Sequence, residues 1–533
     1  MKMVKSLILG SAAGLLAMSG AQAADLPVKA KAVEYVRICS LYGAGFFYIP
    51  GTDTCIKLGG YLRVDTTFNG APYDQNAQFG DLGQGNRYRD YFASRSRLAI
   101  TVDTRTATEY GVVRTFGQAD FSVASPSGSF RDAALTQGQQ FGWEFLFIQF
   151  AGFTFGKSAS AYSTPWHGYP GNNTSFLVGG NDTVTGTNNI QYTAQFGNGV
   201  SGTIGLDDPS LFNRTAVYDL ANSSAVTGAF SLASLSATGA GGNAYAGAHV
   251  PDVVGNIRVD QAWGLFQISG ALHEVNGSYN ALSNTLTTAT TGPGGIAGLV
   301  TPFTSGTNGA NAFSEASGHP ETKWGGSVMA ALQIKNIPTG AGDDIKLDAS
   351  WAKGDIKNII GTSAGIPSYA MFSGSGVAYQ SVGFANATDG VYLPVAAGGD
   401  GSIHLTEGFG FRGAFNHNWD PYWSSSLFGG YAAVRYDGTA KAAYCAAYAV
   451  SNPGFRSADF SCNPDFNLSQ IGVVTRWTPV KNLTFSAEVL WFHLDQKFTG
   501  VATLTPVAPK PTATHQFKDQ DTVSFNVRAQ RNF

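Results

Sequence analysis

The sequence predicts an all-β protein, a sixteen-stranded antiparallel β-barrel closed across a membrane. Three observations carry that expectation. Strand-length segments with one oily and one polar face recur along the chain, and the gaps between them alternate short and long. Charged residues make up only 13% of the 533, about half of the roughly 25% usual in soluble domains, while glycine supplies 67 residues and aromatics 13%. No linker, Pro-rich hinge or charge run divides the chain, so one large architecture accounts for its length better than several domains. The formal net charge is −3, or −5 without Lys2 and Lys5, and gives no reason to expect nucleic acid as a partner.

The N-terminus reads as an export signal. Lys2 and Lys5 form a basic start, Leu7 to Met18 an apolar stretch, and Ala21-Gln22-Ala23 a cleavage pattern, so residues 1–23 are expected to be a signal peptide removed after Ala23. A membrane anchor is the alternative, but the apolar run is shorter than the roughly 20 residues that span a bilayer. Residues 24–55 then form an N-terminal segment, and 56–533 the barrel. In an exported chain, four cysteines in two local pairs read as the disulfides Cys39–Cys55 and Cys445–Cys462. A zinc site is the rival reading, weakened by the lack of any Cys-x-x-Cys or of a histidine at ligand spacing.

Taken in order, the strands are expected at 56–68, 91–103, 109–122, 142–150, 152–157, 188–196, 200–206, 252–260, 263–274, 322–335, 343–354, 404–418, 423–436, 468–477, 482–494 and 521–533. In the first, Ile56, Leu58, Leu62, Val64 and Phe68 share one face, while Lys57, Tyr61, Arg63 and Asp65 share the other. In the second, Leu98, Ile100 and Val102 oppose Arg95, Arg97, Thr101 and Asp103. The last alternates almost without fault from Thr522 to Phe533, Arg531 being the exception on its oily face. Seven short and eight long gaps suit sixteen strands whose two ends lie on the short-turn side.

Closure follows from the solvent. Hydrocarbon offers backbone N–H and C=O groups no partner, and without spanning helices a sheet must pair its own edges. A soluble propeller or sandwich also has many short strands, but it requires an apolar inner face. Here the polar face carries too many charges and amides to be a dry core.

Five stretches then carry a resemblance: CSLYGAGFFYIPGTDTCIKLGGYLRVDTTF from Cys39, SRSRLAITVDTRT from Ser94, FTFGKSASAY from Phe153, FLVGGNDTVTGTNNIQYTAQF from Phe176, and the terminal Phe533. Together they resemble the general-diffusion porins of alphaproteobacteria. The resemblance implies a trimeric outer-membrane barrel in contact with lipid and lipopolysaccharide. Its third loop, residues 158–187, would fold inward as a constriction, and small hydrophilic solutes and ions would cross by passive diffusion. It implies no cofactor and no metal. Carried onto this chain, the constriction is expected between that loop and a basic wall of Arg63, Arg95, Arg97 and Arg114, with Asp182 the only acid on the loop. Asn181 and Asp182 displace by one position the acidic segment that the family carries there. Glu144 and Asp120 are candidates to supplement it, whereas Lys57, Arg258, Lys346 and Arg412 read as solvated strand positions.

Two features remain. Trp143, Phe145, Phe147, Phe150, Phe153 and Phe155 make both faces of one strand pair apolar, which suggests burial by the loop on one side and a neighbouring subunit on the other. Gly156-Lys157-Ser158 and Gly292 to Ala297 imitate nucleotide-binding loops but lack the strand–helix setting, and no His-Glu-x-x-His pattern occurs, so the chain is not expected to be an enzyme. The other readings of the same barrel are a solute-specific pore and an adhesion or structural barrel acting through its long loops.

Overall fold

The computed structural model describes residues 37–70, 91–125, 138–182, 184–209, 214–220, 243–280, 318–361, 368–395, 398–506 and 510–533. The expected signal peptide and most of the long loop after Asn276, including Gly292 to Ala297, lie outside them.

The barrel strands are β1 Cys55–Phe68, β2 Phe92–Thr108, β3 Gly111–Ala124, β4 Gly138–Phe150, β5 Phe153–Ser158, β6 Thr187–Gly197, β7 Val200–Asp207 and β8 Asp252–Gln261. They continue as β9 Gly264–Val275, β10 Lys323–Lys335, β11 Asp344–Lys353, β12 Glu407–Asn418, β13 Trp423–Arg435, β14 Phe466–Val480, β15 Leu483–Gln496 and β16 Gln520–Asn532. Each pairs with its neighbours in sequence, and β16 pairs back onto β1 from Tyr61↔Asn532 to Phe68↔Phe525, which closes the sheet. All sixteen expected strands are present. Several are longer than expected, because turns such as that after Thr108 use only two residues. No helix among the described residues is long and apolar enough to cross a membrane.

The pattern of exposure is inverted relative to a soluble protein. On β1, Leu58, Leu62, Val64 and Phe68 are exposed while Asp65 and Thr67 are buried, and on β2 Leu98 and Ile100 are exposed while Arg95 and Arg97 are buried. The oily face meets lipid and the polar face points inward. Trp423 and Trp477 stand directly opposite each other beside short turns, their rings stacked at 5.8 Å, as interfacial anchors do. The turn Ala151–Gly152 holds Ala151 at φ 49°, a left-handed conformation that a Cβ disfavours.

Residues 37–56 make a small unit of their own, closed by the Cys39–Cys55 disulfide. In it Phe47–Tyr48 pairs with Cys55–Ile56, and Arg37 lies over the Tyr48 ring at 4.5 Å.

At the long-loop end the polar-inside rule fails. Leu490, Phe492 and Leu494 of β15 and Phe466 and Leu468 of β14 are inward and fully buried, packed with Tyr369, Met371, Ile356 and Ile359 from the loop after β11. Above them the loops form a cap. Hairpin Ser368–Asn386 and the paired strands Val501–Leu504 and Ala513–Phe517 join through a parallel pairing of Gln380–Val382 with His515–Phe517, and helix α1, Gly438–Ser451, packs Tyr444 and Tyr448 against Phe384 and Phe498. The Cys445–Cys462 disulfide ties α1 to its own loop. Composition hid this core, because these loops are rich in Gly, Ala, Ser and Thr and their apolar residues are spread over three separate segments.

Candidate functional site: the lumen and its loop

The expected basic residues do share the inward face of neighbouring strands, and each has a partner on that same wall. Arg95 donates to Asp65 at 2.9 Å, and Arg528 of β16 donates to the other Asp65 oxygen at 2.6 Å. Arg97 reaches Asp120 at 2.7 Å, Glu144 at 3.3 Å and the Ser122 hydroxyl at 3.1 Å. Arg114 grips Asp103 through two nitrogens at 3.0–3.2 Å and Gln149 at 3.0 Å. Arg63 donates to Gln530 at 2.7 Å. Arg95 and Arg97 are 3% and 8% exposed, enclosed by these partners, whereas Arg63 and Arg114 are half-buried. Acid and base thus alternate along one wall. Asp65 and Arg528 were legible by parity, since both fall on the polar face of their strands.

Glu144 reaches Arg97 because β4 is irregular. Its pairing with β3 slips between Gln118 and Ala119, leaving Glu144 as an extra residue. The bulge leaves Trp143 outside and sends Phe145 and Phe147 inside, opposite Gln118 and Phe116, so residues of equal parity separate. The apolar double face expected for this strand pair resolves accordingly: Trp143, Leu146, Ile148, Phe153 and Phe155 are exposed outward, and Phe145 meets the loop residue His167 at 5.6 Å.

The loop between β5 and β6 is held from the other side. Its backbone hydrogen-bonds to inward side chains of distant strands: Ala161 O with Asn256 Nδ2 at 2.6 Å, Ser163 O with Gln267 Nε2 at 2.6 Å, Val178 N with Gln470 Oε1 at 2.7 Å, and Asn181 O with Arg412 Nη1 at 2.8 Å. Glu488 accepts from Asn173 N and from the Thr174 hydroxyl. Arg412, 1% exposed, also donates through Nε to both oxygens of Asp348 at 2.9 Å and lies 5.2 Å from the Tyr169 ring. Sequence reading took Arg412 for a solvated strand position. Its role is visible once β11 is set beside β12, where Asp348 and Arg412 stand directly opposite.

Gly179 and Gly180 explain how the loop comes so close. A Cβ on Gly179 would lie 2.3 Å from the Phe411 carbonyl oxygen, and one on Gly180 would lie 2.5 Å from Asp348. Only glycine lets backbone press onto this wall. Asp182, the next acid, turns inward on its own segment and accepts from Val184 N at 2.8 Å. It also acts on Lys357 and His167. Burial lowers the Lys357 ammonium to about 8 against the attraction of Asp182 and Asp389. Burial lowers His167 as well, opposed by Asp182 and reinforced by Arg63.

A separate cluster stands in the loop segment before β12. Ser402 Oγ lies 3.2 Å from His404 Nε2, and His404 Nδ1 lies 2.7 Å from Asp437 Oδ2. This has the connectivity of a hydrolytic triad, but Asp400 occupies Nε2 at 2.8 Å and also takes the Ser402 hydroxyl at 2.9 Å. With a carboxylate at each ring nitrogen, His404 is built to hold a proton rather than to remove one. Among the described residues no group of His, Cys, Asp and Glu is arranged to hold a metal ion.

Residues 25–526 match the porin subfamily. Porin Omp2b of Brucella abortus (strain 2308) is 34% identical over 269 residues, which is 49% of this chain and 63% of that protein. Porin Omp2b of Brucella suis is 38% identical over 211 residues, covering 38% of this chain and 52% of that protein. The matched stretch therefore spans less than two thirds of these relatives' length. The outer membrane channel DcaP of Acinetobacter baumannii has the same fold, with a TM-score of 0.52 and 14% identity over 91% of this chain and 99% of that one.

Proposed function

Because the chain belongs to the porin subfamily, we propose that it forms a water-filled outer-membrane channel through which small hydrophilic solutes and ions diffuse passively. The observation that carries this reading is the division of labour in the lumen. One wall offers alternating charge, and the 158–187 loop is fastened to the other. The open path then runs between the loop and the wall of Arg63, Arg97 and Arg114. Inward charges and amides keep it wet, and the paired acids leave a modest positive balance rather than a strong one-sign field. The constriction residues are Arg63, Arg95, Arg97 and Arg114, with Asp182 acting through Lys357 and His167.

The homotrimer belongs to the same proposal. Its support is the outward aromatic and aliphatic surface of β4 and β5, where Phe153 and Phe155 stack at 5.7 Å. Lipid and lipopolysaccharide would cover the remaining oily face. A second reading, recognition of a partner by the long loops, is favoured by Val377, Val395 and Phe455, which stand 61–70% exposed on the cap.

The deciding experiment is conductance and reversal potential in a planar bilayer under a salt gradient. Stepwise conductance is expected, with an ion preference that moves toward cations in Arg97→Gln. Folded, heat-modifiable protein without conductance would sink the channel and promote loop-mediated adhesion. A monomeric mass in mild detergent would remove the trimer alone.

A further inference from the structure

A cavity of about 280 Å³ opens into the lumen among β3, β4, β5 and β6. Its apolar side is Phe116, Phe145 and Phe147, with Phe116 stacked on Phe147 at 5.4 Å and tilted against Phe145 at 6.4 Å. The three are half-buried, and the part of each ring still turned to a water-filled lumen gains from an apolar partner. The β4 bulge is what turns two of them inward, so the local backbone irregularity creates this surface.

The rest of the rim is uncharged and polar: Gln149, Thr154, Ser158 and Gln191. Gln191 Nε2 donates to Ser158 Oγ and to Ala159 O, both at 3.3 Å, which fixes the amide and leaves its Oε1 buried without a hydrogen-bond partner. A buried acceptor of this kind gains from a ligand that brings a donor. Arg114 borders the cavity, its guanidinium over Phe116 and Phe147 at 5.3 and 5.6 Å and paired with Asp103, an acid it shares with Arg105. An anion is drawn to Arg114 but brings no donor to Gln191, which a hydroxylated solute does.

We propose that this cavity is a subsite for a single polyhydroxylated ring, a monosaccharide-class solute. One apolar C–H face would lie on the phenylalanines, and the hydroxyl edge would donate to Gln191 Oε1 and exchange hydrogen bonds with Gln149 and Thr154. The proposal rests on the channel reading, since it makes the subsite a station on the path, and weak binding there favours passage over retention.

The test is single-channel current with glucose, the acyclic polyol sorbitol or benzoate added to one side. Conductance without solute checks the channel independently of the subsite. Glucose is expected to give transient block several-fold more frequent than sorbitol at equal concentration, and Phe147→Ala and Gln191→Leu each to abolish that difference. Either variant suffices if the other fails to fold. Equal block by glucose and sorbitol, or block unchanged in both variants, overturns the subsite. Stronger block by benzoate overturns it in favour of an anion site. If no current flows, saturation-transfer NMR of glucose with the detergent-solubilised protein decides the matter: transfer lost in Gln191→Leu upholds the subsite, and no transfer to the native protein rejects it.

Discussion

The wall from β1 to β4 and the wall from β8 to β15 have the same alternating sequence pattern, yet their inward polar side chains have different partners. On the first, Arg95, Arg97 and Arg114 pair with Asp65, Asp120 and Asp103 of the same or adjacent strands. On the second, Asn256, Gln267, Arg412 and Gln470 reach across to loop backbone. The difference teaches that alternation places a group in the lumen without stating what it will find there. A charge enclosed by partners on its own and adjacent strands stays on its wall. One that also faces unpaired peptide groups becomes a clasp, as Arg412 does while holding Asp348.

The largest break in this comparison is Arg412→Ala, which leaves Asp348 buried without its cation and frees two loop carbonyls. A loss of about 3–5 kcal/mol is expected, read as a lower urea midpoint in detergent, together with noisier current. Replacing Arg412 and Asp348 together by leucine should recover much of the stability and leave the noise. Glu488→Gln removes the charge and one of the two acceptor oxygens from a clasp and is expected to cost about 1–3 kcal/mol on the same assay. Arg97→Gln acts on the first wall, where Asp120 and Glu144 lose their counter-ion. The cation-to-anion permeability ratio should rise a few-fold with the loop in place, measured by reversal potential. If Arg97→Gln instead loosens the loop as Arg412→Ala does, the division between walls is wrong.

The cap adds a pH-dependent element outside both walls. Partial burial works against the charge of His404, but its hydrogen bonds to Asp437 and Asp400 outweigh it and raise its pKa. Asp400 is held down at about 2, chiefly by the Ser402 backbone N–H and also by His404. The clamp is therefore fully present below the ordinary imidazole value of about 6.5 and is lost as pH rises through the raised one. Hydrogen exchange in 398–406 and 437–441, corrected for intrinsic rate, should accelerate above neutrality, and His404→Ala should remove that dependence. The smallest effect is expected from Ala151→Gly, which relieves a left-handed alanine at a turn. It should stabilise by about 1 kcal/mol without altering conductance.

Particular residues show how much of this was legible in the sequence. Arg95 and Arg97 were placed inside by parity alone. Phe145 and Phe147 were not placed, because one extra residue at Glu144 reverses parity and no local signal marks the slip. Arg412 looked like a solvated charge, because its partner Asp348 lies 64 residues away in sequence. Leu490, Phe492 and Leu494 alternate with exposed Val489, and no single segment tells an inward face that meets water from one that meets a cap.

What the sequence by itself determined is the barrel: its strand number, its closure and its inward charges. Lipid solvent imposes a period of two on every strand, and that period survives in the one-dimensional record. Tertiary structure alone decided which inward groups pair with each other, which hold the loop, and where the lumen is apolar. Those outcomes depend on register between strands far apart in the chain and on packing among loops with no period of their own.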